Sequence, residues 1–444
     1  MDKRQFPDFQ SILANSRWPL IVLAILLFTA YFSIFGLIFG PVFTSDGRRD
    51  LAYATAILEF DLDPFRFVRE IDQLTGIDHP IPKLFYMSYI YEVSGLRWLL
   101  GERWLTGLVI ANGFAQAVAS TLVLAIVAMS TRPAFAVAVG AIFLVSTFEF
   151  FQWVAMSQSD ALYIPFVGLI LFATVHATTA SDAVVRRRFW WIAFVALALS
   201  MTIRPTWPPL IATILGAAIM SGVFQSGDAR RMIRSYAMWM GLLILGGVLG
   251  LFLSAAAYND PNLIPEGVAR ESLLHWRQLS RDLIVVGRPE TFMEASDGVL
   301  GFAKFSFARA VYYFWFGAEG FSPAHRWLNI VTHIPLYVLA VFGAVRSMMP
   351  SAPLGTQLRA AGLISIAYIL MFDFYHAATV LDFDWRYRAP AYPGLIVLAS
   401  IGAAGVAAGV TGLWNRPGPV KSGHSERAKV PQDPYTLPAQ HGVG

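Results

Sequence analysis

Apolar positions gather along this chain of 444 residues into runs of about twenty, separated by short polar and often basic stretches. The runs lie near 19–43, 104–129, 134–153, 161–178, 189–203, 206–223, 237–257, 328–346, 360–376 and 391–413. About 20 apolar residues is the length an α-helix needs to cross a hydrocarbon core of about 30 Å. The pattern therefore predicts an all-α polytopic membrane protein with about ten transmembrane helices. An eleventh stretch, Phe302 to Phe316, is apolar but carries Lys304 and Arg309 and is dense in aromatic residues. Those features suit an interfacial or re-entrant helix on the external face.

The segments between the runs set the expected orientation. Basic clusters fall at Lys3/Arg4/Arg17, Arg186–Arg188, Arg230/Arg231/Arg234, Arg346/Arg359 and Arg416/Lys421/Arg427/Lys429. Positive charge favours the cytoplasmic side, and ten crossings place all of these clusters there, with both termini inside. The expected layout is a cytoplasmic N-terminus over 1–18, a transmembrane domain over 19–413, and a polar, proline-bearing cytoplasmic tail over 414–444 that reads as disordered. Two large external loops are expected, over 44–103 and 258–301. In the second, Leu273, Trp276, Leu279 and Leu283 recur at helical spacing among Arg270, Arg277 and Arg281, the pattern of an amphipathic surface helix. The first apolar run is too long for a cleavable signal sequence, and no A-x-A site follows it, so it reads as an uncleaved span.

Composition agrees. Hydrophobic residues make up 56% of the chain, charged residues 14%, and mean hydropathy is +0.55, where a soluble globule carries about 25% charged residues. Cysteine is absent, which excludes disulfides, thiolate catalysis and Cys-ligated metals. The net charge of +4 does not imply a nucleic-acid partner, because the clustered arginines sit between apolar runs. No Walker or Rossmann glycine pattern, H-E-x-x-H or G-x-S-x-G is present.

Four groups of chemistry-bearing residues fall at the expected external membrane edge, where ionisable side chains are costly and mark function. The first is Ser45-Asp46-Gly47-Arg48-Arg49-Asp50. Asp46 and Asp50 share one helical face at i, i+4, and either a catalytic acid or a helix cap explains a carboxylate here. The second is His79-Pro80-Ile81-Pro82-Lys83, where Lys83 suits a phosphate as a point charge, against a proline-fixed turn with a solvated lysine. The third is Ser157-Gln158-Ser159-Asp160, in which Asp160 either caps the following helix or presents a second carboxylate to the same face. The fourth is split between Arg204-Pro205 and Asp384-Trp385-Arg386-Tyr387-Arg388. Arginines at a bilayer edge either snorkel or bind a lipid-linked phosphate.

Taken in order, these segments resemble the GT-C superfamily of membrane glycosyltransferases, which includes protein O-mannosyltransferases and the aminoarabinose transferases of lipid A. The resemblance rests on Asp46 soon after the first span and on the His-Pro-x-Pro segment leading to VSGLRWLLGERWLTGL. It continues in SDALYIPFVGLILFA, MTIRPTWPPLIATI and RYRAPAYPGLIVLASIGAAG. It implies an inverting transfer of a sugar from a polyprenyl-phosphate-linked donor to a glycan, lipid or protein acceptor, on the periplasmic face of a bacterial inner membrane and among membrane lipids. By the same resemblance Asp46 or Asp50 is the general base and Asp160 a second acid. Lys83, Arg204, Arg386 and Arg388 hold the donor phosphate, and His79 and Tyr387 contact substrate. The acidic residues suit a divalent cation bound through oxygen, but nothing in the sequence requires a metal or other cofactor. Two other classes share the hydropathy: an O-antigen ligase or polymerase acting on diphosphate-linked glycans, and a transporter or flippase of lipid-linked sugars. The first relies less on a first-loop carboxylate, and the second is expected to show repeats or mid-span charges.

Overall fold

The structure, a computed structural model, describes residues 18–75, 86–129, 133–204, 206–259, 307–315, 317, 322–352, 354–379 and 385–414. The expected amphipathic helix within 258–301, the N-terminal residues 1–17, His79, Lys83 and the tail beyond 414 lie outside the described residues. What is described is helical: α1 (Trp18–Phe39), α2 (Ser45–Glu59), α3 (Pro64–Thr75), α4 (Met87–Leu100), α5 (Trp104–Val127), α6 (Pro133–Ser146), α7 (Phe148–Phe151), α8 (Asp160–Thr179), α9 (Ala183–Met201), α10 (Pro208–Gln225), α11 (Ala229–Asn259), α12 (Pro323–Met348), α13 (Thr356–Thr379) and α14 (Tyr392–Trp414). Short 3₁₀ segments occupy Gly101–Arg103, Gln152–Ala155 and Trp385–Ala391. The described part of the eleventh apolar stretch is 307–315, of which 307–313 are also helical.

Each apolar run except 134–153 falls on one helix of this set. Seven helices among the described residues are long and apolar enough to cross a membrane, and an eighth crossing is counted if the bent pair α6 and α7 is one span. The remaining two runs fall in α9 and α11, each of which opens with three arginines, Arg186–Arg188 and Arg230, Arg231 and Arg234. The chain is an all-α polytopic integral membrane protein.

Helix ends coincide with capping chemistry. Thr44 accepts from Gly47 N (3.0 Å) at α2, and Ser322 accepts from His325 N (3.2 Å) at α12, with Pro323 in the first turn. Asp182 accepts from Val184 N (2.7 Å) and Val185 N (2.9 Å) at α9. Those backbone donors, that of Val185 foremost, hold the Asp182 carboxyl below the usual aspartate range. Pro208 and Pro209 open α10. Because proline lacks the amide hydrogen a helix interior needs, α10 starts afresh at Pro208 and does not continue α9.

The expected span over 134–153 is not one helix. The chain turns by 72° after Ser146, passes through α7 and a 3₁₀ turn, and reaches extended backbone at Met156. The physical reason lies at Glu149: a carboxylate in an apolar run must find partners, and here it meets side chains from three other segments. Within the segment 44–103, α2, α3 and α4 pack together through Tyr53, Ile57, Phe67, Ile71, Ile90 and Val93.

Helix α8 is the hub, packed against α5, α9, α10 and α13. Helix α1 is peripheral; Leu20, Leu26, Leu27 and Ile38 are more than half exposed, as lipid-facing side chains are. Helices α12 and α14 approach backbone to backbone. A Cβ on Gly343 would lie 1.9 Å from Leu398 O, and one on Gly402 would lie 2.1 Å from Leu339 O, the close packing that small residues permit between membrane helices. Residues 406–444 form a second compact unit, whose described part is the end of α14.

Candidate functional site

The four sequence groups lie on five segments of chain, and the structure brings the described ones to one end of the helices. Beyond α1, Val42 pairs with the strand-like residue before α8: Val42 N donates to Ala155 O (2.7 Å) and Ser157 N donates to Val42 O (3.0 Å). Gln158 Nε2 then donates to Thr44 Oγ1 at 2.5 Å, the same oxygen that caps α2. The Asp46 segment and the Asp160 segment, more than a hundred residues apart in sequence, are therefore held together by main chain.

Within this frame Asp160 is buried, 3% exposed, and its Oδ1 accepts from Arg204 Nη1 in an ion pair. Asp160 is the first residue of α8; its carboxylate is engaged by Arg204, and Ser159 before it makes no side-chain capping bond. The pair is enclosed on both sides. A buried pair gains little net stability, whereas removing one member strands a charge, so such pairs are stronger evidence of a specified geometry than of stability.

Arg204 also lies over the ring of Tyr387, its Cζ 5.8 Å from the ring centroid. On Tyr387 rests His376 of α13, with ring centroids 4.8 Å apart, and His376 stacks in turn on Tyr313 at 5.8 Å. His376 is buried, and among the described residues neither of its ring nitrogens has a hydrogen-bond partner; the same is true of Asp373 Oδ1, one turn earlier. At the foot of α4, Ser88 N donates to Thr202 O (3.1 Å) and the two hydroxyls sit 2.6 Å apart. This docks the helix that follows the His79–Lys83 segment two residues from Arg204.

The two first-loop acids part company. Asp46 is the second residue of α2, and its side chain lies outside the described residues. Asp50, one turn on, is 1% exposed and accepts from Arg49 Nη2 (2.9 Å) and Nε (3.2 Å). Arg49 in turn stands over the Tyr86 ring at 5.0 Å. The cap of this helix is Thr44, two residues before Asp46.

The fourth group divides at a peptide bond. Tyr387 faces the Asp160–Arg204 pair. Arg388 is turned to Glu149, to which it donates from Nε (3.0 Å) and Nη2, while its Nη1 donates to the carbonyls of Tyr313 (3.1 Å) and Trp315. Glu149 is fully buried. Its Oε1 accepts from Asn329 Nδ2 (2.9 Å) and its Oε2 from Tyr392 Oη (2.6 Å), and that hydroxyl stands 2.6 Å from His333 Nε2. Arg386 lies on the same 3₁₀ segment, but its side chain is outside the described residues.

Sequence reasoning missed Glu149, Asn329, His333, Asp373 and His376. One signal was present for most of them: each is a polar or ionisable residue inside an apolar run, the position at which burial demands a partner or a function. Among the described residues no group of three His, Asp or Glu side chains stands close enough to hold a metal ion.

No known protein family matches the chain, and no curated protein matches it. Among solved structures it is similar to ArnT from Cupriavidus metallidurans in the apo state, at 12% sequence identity and a TM-score of 0.34, over 88% of this chain and 77% of that one. A likeness that distant transfers neither residues nor activity.

Proposed function

We propose that the chain is an inverting glycosyltransferase that moves a sugar from a polyprenyl-monophosphate donor to an acceptor hydroxyl at the external, periplasmic face of a bacterial inner membrane. The observation that carries this reading is the convergence of the Asp46 segment, Asp160, Arg204 and Tyr387 at one end of the helices. The arginines that open α9 and α11 lie at their other ends. A catalytic carboxylate beside basic and aromatic side chains at a bilayer edge suits a substrate with an anionic head, a sugar and a lipid tail.

In this reading Asp46 is the general base, because Asp50 is already engaged by Arg49. Its carboxylate takes the proton of the acceptor hydroxyl as the oxygen attacks the anomeric carbon from the face opposite the phosphate. The bond between that carbon and the phosphate oxygen breaks, and its electron pair leaves with the polyprenyl phosphate. Base and leaving-group stabilisation of this kind supply much of the acceleration in such transfers. Arg204, Arg386 and Lys83 carry the positive charge that meets the developing phosphate dianion. Asp160 holds Arg204 in place, Tyr387 forms a wall of the site, and His79 contacts substrate. Arg388, whose donors go to Glu149 and two carbonyls, serves the site without touching phosphate.

The test is reconstitution of the purified protein with a panel of radiolabelled polyprenyl-monophosphate sugars and a crude acceptor extract, beside Asp46→Asn. Consumption of one donor by the wild type and its loss in the variant is the expected result. No consumption of any donor overturns the reading and directs the assay to diphosphate-linked glycans.

A further inference from the structure

Two buried ion pairs, Asp160–Arg204 and Glu149–Arg388, are joined by a single dipeptide. Tyr387 touches the first pair through Arg204, and Arg388 is half of the second. Adjacent side chains of a tight 3₁₀ segment point in different directions, so whatever fixes one fixes the other. Arg388 is fixed thoroughly: its Nε and Nη2 donate to Glu149 and its Nη1 to the carbonyls of Tyr313 and Trp315. Glu149 in turn is gripped from α12 by Asn329 and from α14 by Tyr392, whose hydroxyl is shared with His333. It stands where the 134–153 run breaks, on a four-residue helix that leads through the 3₁₀ turn to the Val42 bridge and Asp160. The same carboxylate is thus tied by covalent chain to one side of the candidate site and by ion pair to the other.

We infer that Glu149 is a positioning residue: through Arg388 it sets the placement of the Trp385–Ala391 segment, and so of Tyr387 and Arg386, against the Asp160–Arg204 pair. Its role in donor binding rests on the function proposed above; its role in placing the segment does not. A carboxylate inserted only to stabilise the bundle is a poor explanation, because a buried ion pair is usually matched or bettered by apolar residues of similar volume. The network instead specifies one arrangement of four segments around one atom pair.

Because the chain has no cysteine, a single introduced thiol reports on one position. In the full chain held in nanodiscs, Arg386→Cys is reacted with a maleimide in the Glu149 background and beside Glu149→Gln, Glu149→Asp and Tyr392→Phe. Binding of bare polyprenyl monophosphate is measured on the same Glu149 and Tyr392 variants with Arg386 intact. Glu149→Gln is expected to change the thiol reaction rate and weaken polyprenyl-phosphate binding, each about tenfold, the change that accompanies loss of one well-made charged hydrogen bond. Glu149→Asp is expected to restore part of both. Tyr392→Phe, which removes only one hydroxyl, is the variant to rely on if Glu149→Gln does not fold, and should shift both readouts in the same direction by less. An unchanged thiol rate in folded Glu149→Gln, or in Tyr392→Phe if only that variant folds, overturns the positioning role, as does an Asp variant no better than Gln. If the wild type fails to bind polyprenyl phosphate while the thiol rate shifts as expected, the donor assignment falls and the positioning role stands.

Discussion

Gly47 meets Ser157 with no room for a side chain: a Cβ on the glycine would lie 2.2 Å from the Ser157 carbonyl oxygen and 2.4 Å from its hydroxyl. The helix that carries Asp46 is thus seated directly on the chain that leads into Asp160. Gly47→Ala must push these two segments apart. The expected outcome is a loss of at least about tenfold in transferase activity, in keeping with the sensitivity of catalysis to small displacements. Gly95→Ala in α4, where a Cβ meets nothing within 4 Å, should leave activity unchanged. Equal activity in both variants would remove the argument that this seat matters.

The Asp160–Arg204 pair gives a second test, read as stability. Asp160→Asn strands a buried guanidinium and is expected to destabilise the protein by about 3–5 kcal/mol, the range for breaking one partner of a buried pair. Asp160→Asn combined with Arg204→Leu should recover much of that loss, in a double-mutant cycle followed by unfolding in detergent. Simple additivity of the two single variants would show that the residues do not interact.

His376 offers a prediction of opposite sign. Its imidazole lies buried in a stack with Tyr313 and Tyr387, with neither nitrogen partnered among the described residues. An unsatisfied buried polar group costs about 1–3 kcal/mol, so His376→Phe should keep the stack and raise the unfolding temperature. A drop in unfolding temperature would mean that the nitrogens are bonded in the working protein.

Sidedness follows from single thiols in the cysteine-free chain. Ser181→Cys and Gln225→Cys, both in exposed positions near the arginine-rich helix starts, should react from one side of sealed vesicles. Phe65→Cys on α3, at a position 79% exposed, should react from the other. A membrane-impermeant maleimide that labels all three from the same side would overturn the one-face arrangement.

Much of the helix inventory was legible because the apolar runs are long and lipid imposes a simple length rule. The capping residues and the Pro208–Pro209 start were also visible as local signals. The break at Thr147 was not. Val145, Ser146 and Thr147 carry no strong breaker, and the turn is driven by Glu149 reaching Arg388, a partner 239 residues away. The candidate site was legible as residue types at helix ends, but not as pairings. Arg204 and Arg388 look alike in sequence, and only the fold shows that one faces Asp160 and the other Glu149. Both Asp46 and Asp50 were candidate bases in the sequence, and only the fold shows Asp50 engaged by Arg49.

The bend after α6 also bears on the lipid around it. Its 14 residues span about 21 Å at 1.5 Å per residue, against a hydrocarbon thickness of about 30 Å. A bilayer meeting a short apolar surface thins locally, and α6 presents exposed Phe135 and Ile142 to it. A thinner bilayer is thus expected beside α6, with lipid head groups drawn inward there relative to those along the longer helices.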